Sequence, residues 1–158
     1  MKYVETKKVL NQAVADLSQL SAMIHQTHWY MRGPQFLKLH PKMDKYMEDV
    51  NAQLDEISER LITLDGSPYS TLREWADNSK LSAEPGIWGV PTEKRFEELV
   101  TAFRYMTDLY EQGIEVSEKE GDLVTNGIFI DSKGDFEKTI WMLQAELGKA
   151  PEIDPETF

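Results

Sequence analysis

The sequence predicts an all-α fold, a four-helix bundle with a short helix in the long crossover between helices two and three. Three observations lead there. Four long segments repeat apolar residues at helical spacing. Within each half of the chain the joint between segments is short: Arg32-Gly33-Pro34 in the first half and Glu120-Gly121-Asp122 in the second. Between the halves the connection is long, from Asp65 to Pro91. A connection of that length can run along a bundle and reverse the order of helix directions.

The first helix is expected over roughly 5–31, where Leu10, Val14, Leu17, Ser21, Ile24 and His28 alternate spacings of four and three. The second is expected over roughly 36–64, on a stripe of Phe36, Leu39, Met43, Met47, Val50, Leu54, Ile57, Leu61 and Leu64. In the crossover, Leu72, Trp75 and Ala76 share a face and predict the short helix over 71–78. The third long helix follows Pro91, with Thr92 as N-cap and Phe96, Leu99, Val100, Phe103, Met106 and Leu109 inward. The fourth ends near Leu147 at Gly148, with Phe136, Ile140, Trp141, Leu143 and Leu147 as its buried side. The whole chain, 1–158, reads as one domain, with the bundle over about 5–148 and a polar C-terminal tail.

Bulk composition narrows the function. A net charge of -11 argues against nucleic acid, whose phosphates need a basic surface, and suits a protein that attracts cations. No cysteine is present, so disulfides and thiolate metal sites are excluded. No stretch approaches the roughly 18–20 apolar residues of a membrane span. With no apolar leader in MKYVETKK, these features fit the cytoplasm.

One pattern carries chemistry. His40, Asp44, Asp55 and Glu59 are two i, i+4 pairs placed symmetrically about the Asp49–Val50 peptide. With His40 at 0°, the four fall near about 0°, 40°, 60° and 100° on the helical wheel, which is one face. That face is a flank of the helix, turned well away from the apolar stripe. Asp44 and Asp55 are about 16 Å apart along the axis, so one chain cannot bring both pairs to one ion. Two copies of the helix, crossing antiparallel on a two-fold axis near residues 49–50, bring His40 and Asp44 of one chain to Asp55 and Glu59 of the other, twice. Taken singly, each pair is also what an ordinary solvated helix face carries. His28 lies one tight turn from His40 and is either a further ligand or a core histidine. Mixed imidazole and carboxylate ligands suit iron, manganese or zinc better than calcium or magnesium. No Glu-x-x-His occurs, which disfavours the single-chain di-iron bundle.

The stretch HQTHWYMRGPQFLKLHPKMDKYMEDVNAQLDEISERLITLDGSP, residues 25–68, closely resembles the signature of the Dps-like mini-ferritins. A weaker likeness extends over about 5–150 and includes FEKTIWMLQAELGKAP. The resemblance implies ferritin-like connectivity and a homododecameric shell with ferroxidase centres at its two-fold interfaces. It implies His28, His40 and Asp44 from one chain and Asp55 and Glu59 from its neighbour as ligands and catalytic groups. It further implies oxidation of iron(II), with hydrogen peroxide as the favoured oxidant, and storage of iron(III) mineral in the cavity. Zinc or manganese are the expected substitutes for iron.

Further roles follow from the same likeness. Trp29 and Trp141 are placed near the centre, or are packing aromatics. Glu48 shares the ligand face and either assists mineral nucleation or is a solvated carboxylate. Asp122 and Asp131 are candidates for an acidic entry pore at the start of the last helix. There the chain departs from a common family pattern, with Asn126-Gly127 where Asn-Asp is often found. Members that compact DNA use lysine-rich tails, and here only Lys2, Lys7 and Lys8 stand at the N-terminus, so DNA binding is not expected. Two readings remain: an iron-oxidising storage enzyme, and a non-enzymatic shell or DNA-protecting protein with a vestigial site.

Overall fold

The computed structural model describes residues 1–153. The last five residues of the expected polar tail lie outside the described residues. The chain forms α1 (Val4–Tyr30), α2 (Phe36–Thr63), α3 (Leu72–Asn78), α4 (Thr92–Glu120) and α5 (Leu123–Glu146). The four long helices are the bundle, and α3 is the short helix of the crossover.

Contacts between helix ends fix the directions. The Thr92 hydroxyl donates to the Arg32 carbonyl at 3.0 Å, so α4 begins where α1 ends. At the other end, the Glu5 and Thr6 amides donate to the Glu120 carboxylate at 3.0 and 2.9 Å. An anion at a helix N-terminus meets unpaired N–H groups and the positive end of the dipole. α1 and α4 are thus antiparallel. α1 packs on α2 and α4, and α5 packs on α4 and α2, so each helix is antiparallel to both bundle neighbours.

The crossover climbs the outside of α1. Asn11 holds Ser67 and Tyr69, and the Gln26 side chain donates to the Glu84 carbonyl. Between them, buried Asp16 accepts from Ser79 Oγ, the Lys80 amide, Tyr105 Oη and Gln12 Nε2 at 2.6–2.9 Å. Four donors satisfy both oxygens of this carboxylate without a cation. α3 starts in a capping box, Thr71 with Glu74, as its sequence allows.

The predicted stripes supply the core. Leu10, Leu17 and Ile24 of α1, Met43, Val50 and Ile57 of α2, and Phe96, Phe103 and Met106 of α4 are buried in one cluster with Phe129, Phe136 and Leu143 of α5. α4 and α5 approach closely at Gly113, where an added Cβ would lie 2.6 Å from the Phe129 ring. Gly121 at φ 78° ends α4, and Asp122 caps α5 by accepting from the Thr125 amide. Gly148 at φ 73° follows the end of α5, as expected of a glycine stop.

Two expectations are corrected. Thr92 is the first helical residue and not the N-cap; Pro91 takes that place, and the Thr92 hydroxyl serves Arg32. Trp141 is not on the buried side of its helix but 49% exposed. The buried stripe runs through Phe136, Ile140 and Leu143. Residue 141 is rotated about 100° from its neighbour at 140, off that stripe.

Candidate metal centre

His28 sits in the last turn of α1, and His40 in the second turn of α2. The short joint between the helices brings them together. Their rings stack with centroids 3.6 Å apart and planes at 12°. Each Nδ1 lies 2.8 Å from the backbone carbonyl of the other histidine. A carbonyl can only accept, so each Nδ1 carries a proton, and in the neutral ring Nε2 is then the nitrogen with a free lone pair. Metal-binding histidines are oriented in this way, by an N–H bond on the nitrogen that does not bind the metal.

His28 Nε2 lies 3.6 Å from Asp44 Oδ1. That is beyond a hydrogen bond. It is near the separation of two ligands on one first-row ion, roughly 3.0–3.4 Å when each bond is about 2.1 Å. The His28 side chain is 11% exposed and that of Asp44 59% exposed, so the constellation has a protected wall and an open side. The Phe36 ring packs against His40 at 4.7 Å, and Trp29 packs its indole on His25 at 5.2 Å.

Asp55 and Glu59 lie three turns and more farther along α2 and are exposed. Among the described residues no three ligand-type side chains of one chain converge on a single point. The structure brings His28 against His40 and, separately, His28 near Asp44, and leaves Asp55 and Glu59 as a separate pair on the same flank. Glu48 stands exposed on that flank between the two groups. Trp29 is exposed beside His28, whereas Trp141 lines a groove between α4 and α5 with Arg104, Glu137 and Ile140.

The expected pore acids divide. Asp131 is exposed on α5. Asp122 is 2% exposed and fully engaged. Its Oδ1 accepts from Arg60 Nη2 at 2.7 Å and from the Thr125 amide, and its Oδ2 accepts from the Thr125 hydroxyl. Burial alone would raise its pKa, but the bonds from Thr125 and Arg60 outweigh it and hold the carboxyl below the usual range. This carboxylate is a helix cap and ion-pair partner, a geometry that leaves no oxygen free to line a pore.

The structure adds one feature that sequence reasoning missed. Leu37 and Ile62 are 86% and 59% exposed although large and apolar. They fall near about 60° and 40° on the same helical wheel, on the ligand flank. They are equidistant from the Asp49–Val50 peptide, as the two ligand pairs are. The signal was available in the sequence, but only burial separates these residues from the core leucines around them.

The family model described as ferritin-like domain matches residues 7–153. The chain is 54% identical over 149 residues to a DNA protection during starvation protein of Streptococcus suis, covering 94% of this chain and 87% of that protein. It is 45% identical over 148 residues to the protein of the same name from Listeria monocytogenes, covering 94% and 95%. The crystal structure of Dps from Listeria innocua soaked with cobalt superposes with a TM-score of 0.91 at 44% identity, covering 96% of this chain and 99% of that one. The chain belongs to the ferritin-like proteins and, within them, to the Dps-like mini-ferritins.

Proposed function

We propose that this protein oxidises iron(II) with hydrogen peroxide and stores the iron(III) product in a shell of twelve copies. The observation that carries the reading is the reciprocal lock between His28 and His40. It turns both Nε2 atoms away from the protein's own carbonyls and leaves His28 Nε2 facing Asp44. A core histidine pair has no need of two unused acceptors.

In this reading the centre is shared. His28, His40 and Asp44 of one chain hold iron(II) together with Asp55 and Glu59 of a second chain, across a two-fold axis at the Asp49–Val50 peptide. Exposed Leu37 and Ile62 of opposite chains close the two ends of that contact and shield the centres from water. Carboxylates offset the charge of the oxidised ion, and imidazoles keep affinity for iron(II). Two iron(II) ions each give one electron to one peroxide, whose O–O bond breaks. With two waters the products are two iron(III) oxyhydroxide units and four protons. Both electrons reach one peroxide together, so no hydroxyl radical is released. Trp29, beside His28, is placed to intercept stray oxidising equivalents, and Glu48 to seed mineral on the same flank.

The test is anaerobic loading with iron(II) followed by peroxide. The unmodified protein is expected to oxidise iron at least tenfold faster than His40→Ala and Glu59→Ala variants, and to suppress hydroxyl-radical trapping. Equal rates would leave the site vestigial and favour a non-enzymatic protective shell. The relatives' name points to DNA protection. With a net charge of -11, that protection is better served by removing iron and peroxide than by contact with phosphates.

A further inference from the structure

Arg95, in the second turn of α4, is 3% exposed. A buried arginine is ordinarily paired with a carboxylate, since an uncompensated charge is costly to bury. Here no carboxylate lies within ion-pair distance among the described residues. Nη2 donates to the Ile87 carbonyl at 2.7 Å, and the guanidinium lies 5.5 Å from the centre of the Tyr30 ring. Nε has no acceptor among the described residues. The backbone bond and the aromatic face compensate part of the charge but bring no negative group to it.

The same arginine forms part of the wall of a cavity of about 550 Å³ between the crossover, α1 and α4. That volume is within the usual range for small-molecule sites. Much of the rest of the wall is apolar: Met23, Leu81, Pro85, Ile87, Val90 and Ala102. Lys80 lies at the rim as a second cation, and Glu84 and Glu98 also border the opening. The two acids disfavour a multiply charged anion such as phosphate. A single negative charge on an apolar body satisfies both the arginine and the wall.

We infer that this cavity binds a small monocarboxylate with an apolar body, its carboxylate against the Arg95 guanidinium and its hydrocarbon part among Met23, Leu81 and Val90. The site is on the crossover side of α1, and its occupancy does not depend on iron chemistry.

Calorimetric titration of the assembled, iron-free protein with sodium hexanoate tests the inference, with hexanol and inorganic phosphate as parallel probes. Saturable hexanoate binding is expected, at least tenfold tighter than hexanol or phosphate. Arg95→Met should weaken it at least tenfold. Ala83→Trp, at an exposed position of the lining, should do the same, so the result does not rest on a variant that changes the core. Glu98→Gln should tighten it. The inference is overturned if hexanoate does not saturate, if hexanol binds as well, or if the correctly folded Ala83→Trp protein binds as the parent does. Tighter binding of phosphate would reassign the cavity to inorganic anions and equally overturn it.

Discussion

At the scale of single residues, two backbone carbonyls decide what two histidines can do. The His28 ring is interchangeable in pattern with a core aromatic, and the sequence leaves it open between ligand and packing. Only the 2.8 Å contacts from each Nδ1 to the opposite carbonyl leave Nε2 as the nitrogen of each ring not engaged by the backbone. Replacing His28 with Gln, which cannot reproduce a ring held in this way, should weaken iron(II) affinity by about 10–100-fold, the usual effect of disturbing ligand orientation. Equilibrium titration with iron(II) under argon would measure it, and unchanged affinity would remove His28 from the centre. A second prediction belongs to buried phenols. Burial pushes Tyr46 up to about 12 and raises fully buried Tyr110 well above its ordinary value. In the unfolded chain both ionise near pH 10. The stability they contribute is therefore complete below pH 10 and is lost as the pH rises from there through 12. Denaturant midpoints should fall across that window, and Tyr46→Phe should flatten part of the fall.

At the scale of elements, helix ends and one close approach matter most. Arg60 of α2, Asp122 and Thr125 join two helix ends in one buried network. Arg60→Ala would leave the Asp122 charge without its cation and should cost about 3 kcal/mol. Because the Asp122 pKa is depressed in the folded protein, its contribution is present above the unfolded value, about 3.9. It is lost as the pH falls below that, through the folded value. Acid unfolding of the parent should therefore steepen below pH 4, and the variant's curve should be flatter there. Gly113 sets two effects against each other. Alanine is the better helix former by about 1 kcal/mol. Its Cβ, however, would lie 2.6 Å from the buried Phe129 ring, and overpacking costs about 1–3 kcal/mol. Gly113→Ala is expected to lower the thermal midpoint; a rise would show that α4 and α5 can move apart freely.

Element types and core stripes were readable because the 3.6-residue period and the Gly-Pro punctuation are local signals. Trp141 was not readable, since it stands beside a stripe residue and only the packing angle of α5 decides its exposure. Asp122 was misleading for a related reason. The family likeness makes an acid at the start of the last helix a pore candidate, and nothing local in the sequence shows that Arg60, distant along the chain, reaches it.

At the scale of the whole molecule, the flank of α2 is unfinished. Ligand pairs and exposed apolar residues alike are mirrored about one peptide, and one chain leaves the two ligand groups about 16 Å apart. Leu37→Asp should split the two-fold contact: light scattering should show particles well below twelve copies of 18.2 kDa, with iron oxidation lost in parallel. The shared centre has a sharper test. Chains carrying His40→Ala and chains carrying Glu59→Ala are each expected to be inactive alone. Co-expressed and randomly assembled in equal amounts, they should restore about a quarter of the centres, because in an isologous pair one intact histidine half can meet one intact acid half. Peroxide-driven iron(II) oxidation near a quarter of the parent rate is the predicted result; a mixed assembly no more active than either variant alone would contradict a centre built from two chains.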